Sequence, residues 1–217
     1  MATDRQGNLL AGANREAADL FDEAVRAFNI YRGDPVTLLD RAIETAPGFA
    51  MAWIMKAHLL GLATEPAAMA AGRRIMAEVQ TMRLAEREAS HVAALRHLYA
   101  GNWTAAAVAL DRHSMRYPRD LVALQSGHLM DFYRASARNL RDRIARALPA
   151  WTPNIPGHAV VLGMHAFGLE ETGDYVRAEA TGIAATEAEP LDCWAHHAVA
   201  HVLEMQGRAA EGLRWMA

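Results

Sequence analysis

The sequence predicts an all-α protein, an α-solenoid of antiparallel helix pairs with about twelve helices in all. Apolar residues recur about one helical turn apart, as at Val25 and Phe28 and at Leu121 and Leu124. This spacing is typical of amphipathic helices, which bury one stripe of their surface. Alternation of apolar and polar residues at a period of two, which would predict strands, is nearly absent. Both observations favour helices along the whole chain.

Regular breaks divide the chain into segments of about 11 to 18 residues, the length of ordinary helices. Each break contains proline, which lacks a helical N–H, or glycine, which easily adopts a left-handed turn. The breaks lie at Gly33-Asp34-Pro35, Pro47-Gly48, Glu65-Pro66, Gly101-Asn102, Pro118, Pro149, residues 153–156, Gly173-Asp174, Pro190 and Gly207.

The breaks are also periodic. Pro47, Pro118 and Pro190 are separated by 71 and 72 residues, and Gly173 precedes Gly207 by 34. Units of about 34 to 36 residues explain these intervals, and this is the period of the tetratricopeptide repeat. Each such unit has two antiparallel helices, A and B, and successive units stack to bury a continuous core.

Small residues fall where that repeat needs close approach between its helices. One unit has Ala94, Gly101, Ala106 and Pro118 at repeat positions 8, 15, 20 and 32. A second has Leu162, Ala166, Gly173, Tyr175, Ala178 and Pro190 at positions 4, 8, 15, 17, 20 and 32. The agreement favours a tetratricopeptide-like α-solenoid of antiparallel helix pairs, and an unrelated helical bundle with accidental spacing is the alternative.

We expect one helical-repeat domain over residues 1–217, with N-terminal helices roughly over 1–47 and repeat units over 48–217. The last unit stops at residues 213–217, inside its helix B and without a polar capping helix. Uncapped arrays expose an apolar stacking face. The expectation is therefore a fragment of a longer chain, or a homodimer in which the uncapped C-terminal helices pair with another copy.

Three segments carry a resemblance to a known family. They are residues 141–149, residues 163–175 and residues 192–207, of which the last contains the pattern His-x-x-x-His-x-x-Glu at His197, His201 and Glu204. Over most of its length the chain resembles the tetratricopeptide repeat protein 38 family. The resemblance implies a repeat fold and a chain that continues past residue 217. It implies no reaction and no catalytic residues.

Composition limits the partners and the compartment. The chain has 22 Lys and Arg against 25 Asp and Glu, a net charge of −3. There is no basic surplus for nucleic acid or an anionic membrane surface. Cys193 is the only cysteine, so no internal disulfide forms, and the first ten residues lack the apolar run of a signal peptide. We expect a soluble, cytoplasmic protein.

The candidate ligand site is the face of the A helices that lines the concave groove of such an array. His197, His201 and Glu204 share one helix face, because His201 lies about 40° and Glu204 about 20° around the helix from His197, in opposite directions. Neighbouring units carry acids at the same position of their A helices, which predicts a solvent-lined surface. The candidate groove residues are His128, Asp131, Phe167, Glu170, His197, His201 and Glu204.

The leading hypothesis is a binding or scaffold protein without a cofactor, whose groove holds a peptide, a protein partner or a small polar ligand. A further alternative is an oligomer-assembly module, in which the uncapped C-terminal helices pair with another chain and the groove is incidental. A metal-dependent hydrolase is the other alternative, with zinc or another divalent metal on His197 and His201. Glu204 lies about 10 Å along the axis from His197. A third ligand is therefore expected from Glu170 or Glu171, with Glu204 as the base.

Other polar residues have simpler interpretations. Asp192 is expected to cap the helix that follows it. His165 is expected to be a buried or half-buried structural residue. Four arginines, Arg138, Arg141, Arg143 and Arg146, are expected to form a solvated helix face with internal ion pairs.

Overall fold

The computed structural model describes residues 2–217. Over this range the protein has twelve α-helices, preceded by a short antiparallel hairpin of two two-residue strands. A 3-10 turn at Leu148–Ala150 follows the eighth helix. The elements are β1 (Ala2–Thr3), β2 (Leu9–Leu10), α1 (Arg15–Ile30), α2 (Pro35–Thr45), α3 (Ala50–Leu62), α4 (Pro66–Val79), α5 (Glu86–Tyr99), α6 (Trp103–Arg116), α7 (Leu121–Tyr133), α8 (Ala137–Ala147), α9 (His158–Glu170), α10 (Tyr175–Ala188), α11 (Cys193–Met205) and α12 (Ala209–Trp215).

The helices pack in neighbouring pairs. Each odd-numbered helix packs against the helix that follows it, so that the chain forms six helical hairpins from α1–α2 to α11–α12. Successive hairpins then stack, for example through α3 on α5 and α9 on α11. The predicted all-α helical-repeat architecture and the number of helices are confirmed.

Capping residues fix where the helices begin and end. Asp34, Asn102 and Asp192 each accept backbone N–H groups of the helix they precede, as expected for Asp192. Gly101 and Gly173 have φ of +78° and +81°, a conformation that side chains disfavour. These signals are local, and for this reason the sequence locates most of the helix boundaries.

Small residues allow the close helix packing that the repeat pattern predicted. Ala94, Ala106, Ala166 and Ala178 are fully buried. A Cβ added at Gly182 would lie 2.5 Å from a methyl group of Val199, so α10 and α11 approach too closely for any larger residue.

The first helix makes contacts that a simple linear array lacks. In a solenoid each repeat contacts only its neighbours. Here α1 packs against α7, three hairpins later. The side chain of Arg26 pairs with Glu189 at 2.7 Å, at the end of α10, and Gln6 donates to the carbonyl of Pro156 at 2.8 Å. The N-terminal segment therefore crosses the amino-terminal ends of α7 and α9 and reaches the turn between α10 and α11.

The reason for this closure is the apolar stripe of α1. Leu20, Phe21, Val25 and Phe28 are all buried, and one partner helix cannot cover so wide a face.

None of the helices in residues 2–217 has the length and apolar character needed to cross a bilayer.

Candidate functional site

A cluster of aromatic rings surrounds Trp194, in the first turn of α11. The indole stacks on Tyr31 with centroids 5.2 Å apart, and it packs on Phe167 at 4.6 Å. Phe132 and His197 contact it at 5.8 and 5.1 Å. The cluster thus draws together residues of α7, α9 and α11 with the residue that ends α1.

Two hydrogen bonds fix this cluster. Trp194 donates from its indole nitrogen to Nε2 of His128 over 3.0 Å. Gln125 donates to the hydroxyl of Tyr31 over 2.7 Å. Burial lowers the pKa of His128 to about 3, and the positive charge of Arg143 acts in the same direction. His128 is therefore a neutral acceptor in the folded protein.

The two histidines of the predicted metal pair lie together on α11. The rings of His197 and His201 are 4.3 Å apart, edge to face, and both are half-buried. Burial and the neighbouring His201 lower the pKa of His197. His197 packs on Phe167 as well, so its ring belongs to the aromatic cluster.

His201 faces two acids of the preceding A helix. Its Nδ1 lies 3.7 Å from Oε2 of Glu170, and ligand atoms of Glu170, Glu171 and His201 all lie within 4.8 Å of one another. Both acids named as candidates for a third ligand, Glu170 and Glu171, therefore lie beside His201, whereas His197 lies outside the group.

Asp131 is buried and paired, which contradicts the expected solvent-lined surface. Arg143 of α8 donates through Nε to its Oδ2 over 2.9 Å and through a terminal nitrogen to the carbonyl of Ala107 over 3.0 Å. Gly127 leaves room for this guanidinium, since a Cβ there would lie 2.7 Å from its Cζ. Arg143 is buried too, so the expectation of a fully solvated arginine face was wrong at this residue.

The remaining predicted groove residues divide by burial. His128, Phe167 and Glu170 are buried together with Asp131, whereas His197 and His201 are half-buried and Glu204 is exposed. This face was expected to be solvent-exposed because acids recur at the same position of successive A helices. Asp131 can instead be buried because its charge is paired with a guanidinium.

Sequence reasoning missed a buried polar network around Asp120. Its Oδ2 accepts from Arg87 at 2.6 Å and His91 at 3.0 Å, and His113 lies 3.3 Å away. His91 receives a hydrogen bond from His58 at 3.1 Å, because its other ring nitrogen donates to the carboxylate. Burial lowers the pKa of His91 to about 4. Burial alone would raise the pKa of Asp120, but His91, Arg87 and His113 around its carboxylate hold that pKa well below its usual range.

One sequence signal pointed to this network. His58 and His91 are 33 residues apart, one repeat period, so that they occupy corresponding positions in successive units. The carboxylate of Asp120 is already neutralised by Arg87, and Asp120 also caps α7. The network therefore stabilises the fold and has no free charge for a ligand.

A cavity of about 290 Å³ lies where α1 crosses the start of α9. Its charged side chains are compensated, because Arg26 pairs with Glu189 and Arg5 lies 3.7 Å from Asp22. Val25, Leu121, Ile155 and Val160 contribute apolar walls.

No protein-family model matches the chain. The site is therefore assigned from geometry. Two features stand out: the aromatic cluster around Trp194, and the acidic group beside His201.

Proposed function

We propose that this protein is a helical-repeat binding protein that holds a peptide on its aromatic face. The aromatic face consists of Tyr31, Phe132, Tyr133, Trp194, His197 and His201. The observation that carries the proposal is exposure: Tyr31, Phe132 and Tyr133 are 41%, 38% and 50% exposed although they belong to one ring cluster.

Exposed rings in a contiguous patch favour a binding role. Large apolar surfaces in water are costly, and soluble proteins keep such patches chiefly where a partner covers them. Tyrosine and tryptophan dominate the energetics of interfaces, since they bury much surface and lose little side-chain entropy. The rings here are held by stacking and by the bond from Trp194 to His128, so the face is ordered before a ligand arrives.

Polar groups at the edge of the face suit the main chain of a peptide. Half-exposed His197 and His201 offer ring nitrogens, and Glu204 offers an exposed carboxylate one turn further along α11. These groups can form hydrogen bonds with the N–H and C=O groups of the peptide backbone. An aromatic or aliphatic side chain of the peptide then packs on Phe132 and Tyr133.

A library of random linear peptides displayed on phage tests the proposal. We expect enrichment of peptides that share an apolar anchor residue. Their synthetic versions should lose at least tenfold in affinity for the Phe132→Ser and Tyr133→Ser variants, measured by fluorescence polarisation, because each change removes an anchor ring.

Met115 on α6 supplies the matched control, since it is 58% exposed and lies outside the aromatic cluster. Met115→Ser should bind the peptides as the unmodified protein does. The proposal fails if no sequence is enriched, or if the enriched peptides bind both ring variants with unchanged affinity.

We also propose that the chain is a relative of the tetratricopeptide repeat protein 38 family. Support comes from the positions of two of the three resembling segments on the helical hairpins. Residues 163–175 span the end of α9 and the turn into α10, and residues 192–207 span α11 with the turn that follows it.

A further inference from the structure

We infer that Glu170, Glu171 and His201 form a binding site for one divalent transition-metal ion, at the edge of the aromatic face. The inference goes beyond peptide binding and does not depend on it. It assigns the metal ligands to two carboxylates of one A helix and one imidazole of the next, rather than to a pair of histidines on α11.

The geometry is the first support. Each of the three residues offers a ligand atom, and these atoms lie within 4.8 Å of one another. Zinc–nitrogen and zinc–oxygen bonds are about 2.0 to 2.2 Å long, so two ligand atoms of one tetrahedral ion stand about 3.4 Å apart. Small rotations of the exposed Glu171 and the half-buried His201 suffice to close the set.

Glu170 supplies the second support, because it is a buried carboxylate without a hydrogen-bond partner for one oxygen. The residue is only 5% exposed, and its Oε2 accepts no hydrogen bond. Within residues 2–217, the one basic group within 4.0 Å of this carboxylate is His201, at 3.7 Å. A buried oxygen without a hydrogen-bond partner is energetically costly, and a bound ion would supply the missing partner.

Two other buried acids of the protein each face a guanidinium, which Glu170 lacks. Asp120 faces the guanidinium of Arg87 at 2.6 Å, and Asp131 faces that of Arg143 at 2.8 Å. Glu170 instead has Glu171 and Glu204 as acidic neighbours, and burial together with these neighbours raises its pKa. A bound cation would remove both the repulsion and the cost of burial.

The position in the fold also favours a cation. Glu170 is the last residue of α9, and Glu171 follows it directly, so both lie at the negative end of a helix dipole. One imidazole with two carboxylates suits zinc and neighbouring first-row divalent ions. His201 is about one-third exposed at its side chain, and this leaves room for water as a further ligand.

Isothermal titration calorimetry with Zn²⁺ tests the inference on tag-free, chelator-treated protein at pH 7.5. We expect a stoichiometry of about one ion per chain. The affinity should fall at least about tenfold in Glu171→Gln and in His201→Gln. Both side chains are solvent-accessible, so the fold should persist, and thermal unfolding followed by circular dichroism checks this.

Two further variants make the result specific. His196→Gln is the matched control: His196 is also half-buried on α11, but its ring nitrogen lies 3.1 Å from the carbonyl of Pro190, away from the acids. This variant should bind Zn²⁺ as the unmodified protein does. In His197→Gln the affinity should change by less than in His201→Gln.

Three outcomes would overturn the inference. The first is the absence of stoichiometric Zn²⁺ binding by the unmodified protein. The second is unchanged affinity in folded Glu171→Gln and His201→Gln. The third is a loss in His197→Gln as large as that in His201→Gln, since this would return the site to the histidine pair on α11.

Discussion

The indole of Trp194 donates a hydrogen bond to Nε2 of His128 over 3.0 Å, and the two residues are 66 positions apart in the chain. The bond joins α11 to α7 across the intervening hairpin. It requires His128 to be neutral, with its proton on Nδ1. The order of the aromatic face therefore depends on the protonation of a buried imidazole.

The first prediction concerns pH. The pKa of His128 falls from about 6.5 in the unfolded chain to about 3 in the folded protein. Between these values the unfolded chain binds a proton that the folded protein rejects, so stability is full above about pH 6.5 and is lost as the pH falls. This group alone should lower the free energy of unfolding by about 2 kcal/mol between pH 7.5 and pH 5.

His128→Gln isolates this effect, because an amide oxygen can accept from Trp194 and does not titrate. Buried acids act in the opposite direction: burial raises the pKa of Asp22 to about 6 and that of Asp192 to about 7, so the folded protein gains protons there as the pH falls. Urea unfolding at pH 7.5 and pH 5 should show a smaller loss in His128→Gln than in the unmodified protein or in the exposed control His97→Gln. Equal losses in all three would contradict the prediction.

The second prediction concerns the buried ion pair. Removing one partner leaves an uncompensated charge, so Asp131→Asn and Arg143→Met should each lower stability by about 3 kcal/mol. The double substitution should cost less than the sum, because it leaves no buried charge alone. Chemical denaturation of the four proteins gives the coupling energy directly.

An exposed pair serves for comparison. Arg177 pairs with Asp174 at 3.0 Å on the surface of α10, and Arg177→Met should change stability by less than about 0.5 kcal/mol. If Asp131→Asn costs no more than this surface change, the buried pair does not hold α7 and α8 together.

The third prediction concerns the contact between α8 and α9. A Cβ at Gly168 would lie 2.6 Å from the Cα of Arg141, and backbone cannot move aside as a flexible side chain can. Gly168→Ala should therefore destabilise the protein by about 1 to 3 kcal/mol, despite the better helix propensity of alanine.

Gly212→Ala is its matched control. A Cβ there meets Leu203 at 3.8 Å, an ordinary contact, so the change should be neutral or stabilise by up to about 1 kcal/mol. Thermal unfolding of the two variants decides the matter: equal midpoints would mean that the helices separate easily.

The fourth prediction concerns Asp120. Asp120→Asn replaces a carboxylate that accepts from Arg87, His91 and His113 by an amide that can present N–H groups to the same donors. The loss in the free energy of unfolding should be about 3 to 5 kcal/mol. A loss below about 1 kcal/mol, measured by urea unfolding, would show that the network contributes little.

The sequence predicted what depends on neighbours in the chain. The spacing of apolar residues predicted helices, and Gly173 and Asp192 predicted where one ends and another begins. The period between Pro118 and Pro190 predicted the pairing into hairpins. The strands at Ala2–Thr3 and Leu9–Leu10 were not anticipated, since two residues are too few to show alternation.

For the candidate site, the sequence suggested a metal pair of His197 and His201 with Glu170 or Glu171 as a third ligand. The structure places both acids near His201 and leaves His197 outside this group.

The sequence did not predict the burial of His128 or Asp131, nor the aromatic cluster around Trp194. Acids repeated at one position of successive A helices are compatible with a solvent-exposed face or with buried ion pairs. For Asp131, the outcome is burial because Arg143 of the following helix neutralises it.

The sequence alone therefore determined the helices, their boundaries and their hairpin order, since each is set by contacts within about one repeat. The tertiary structure decided which polar residues are buried and which rings are exposed. It also decided that α1 crosses the array, where Arg26 meets Glu189, 163 positions away. Such contacts have no period in the sequence, because they arise only when separate elements have packed.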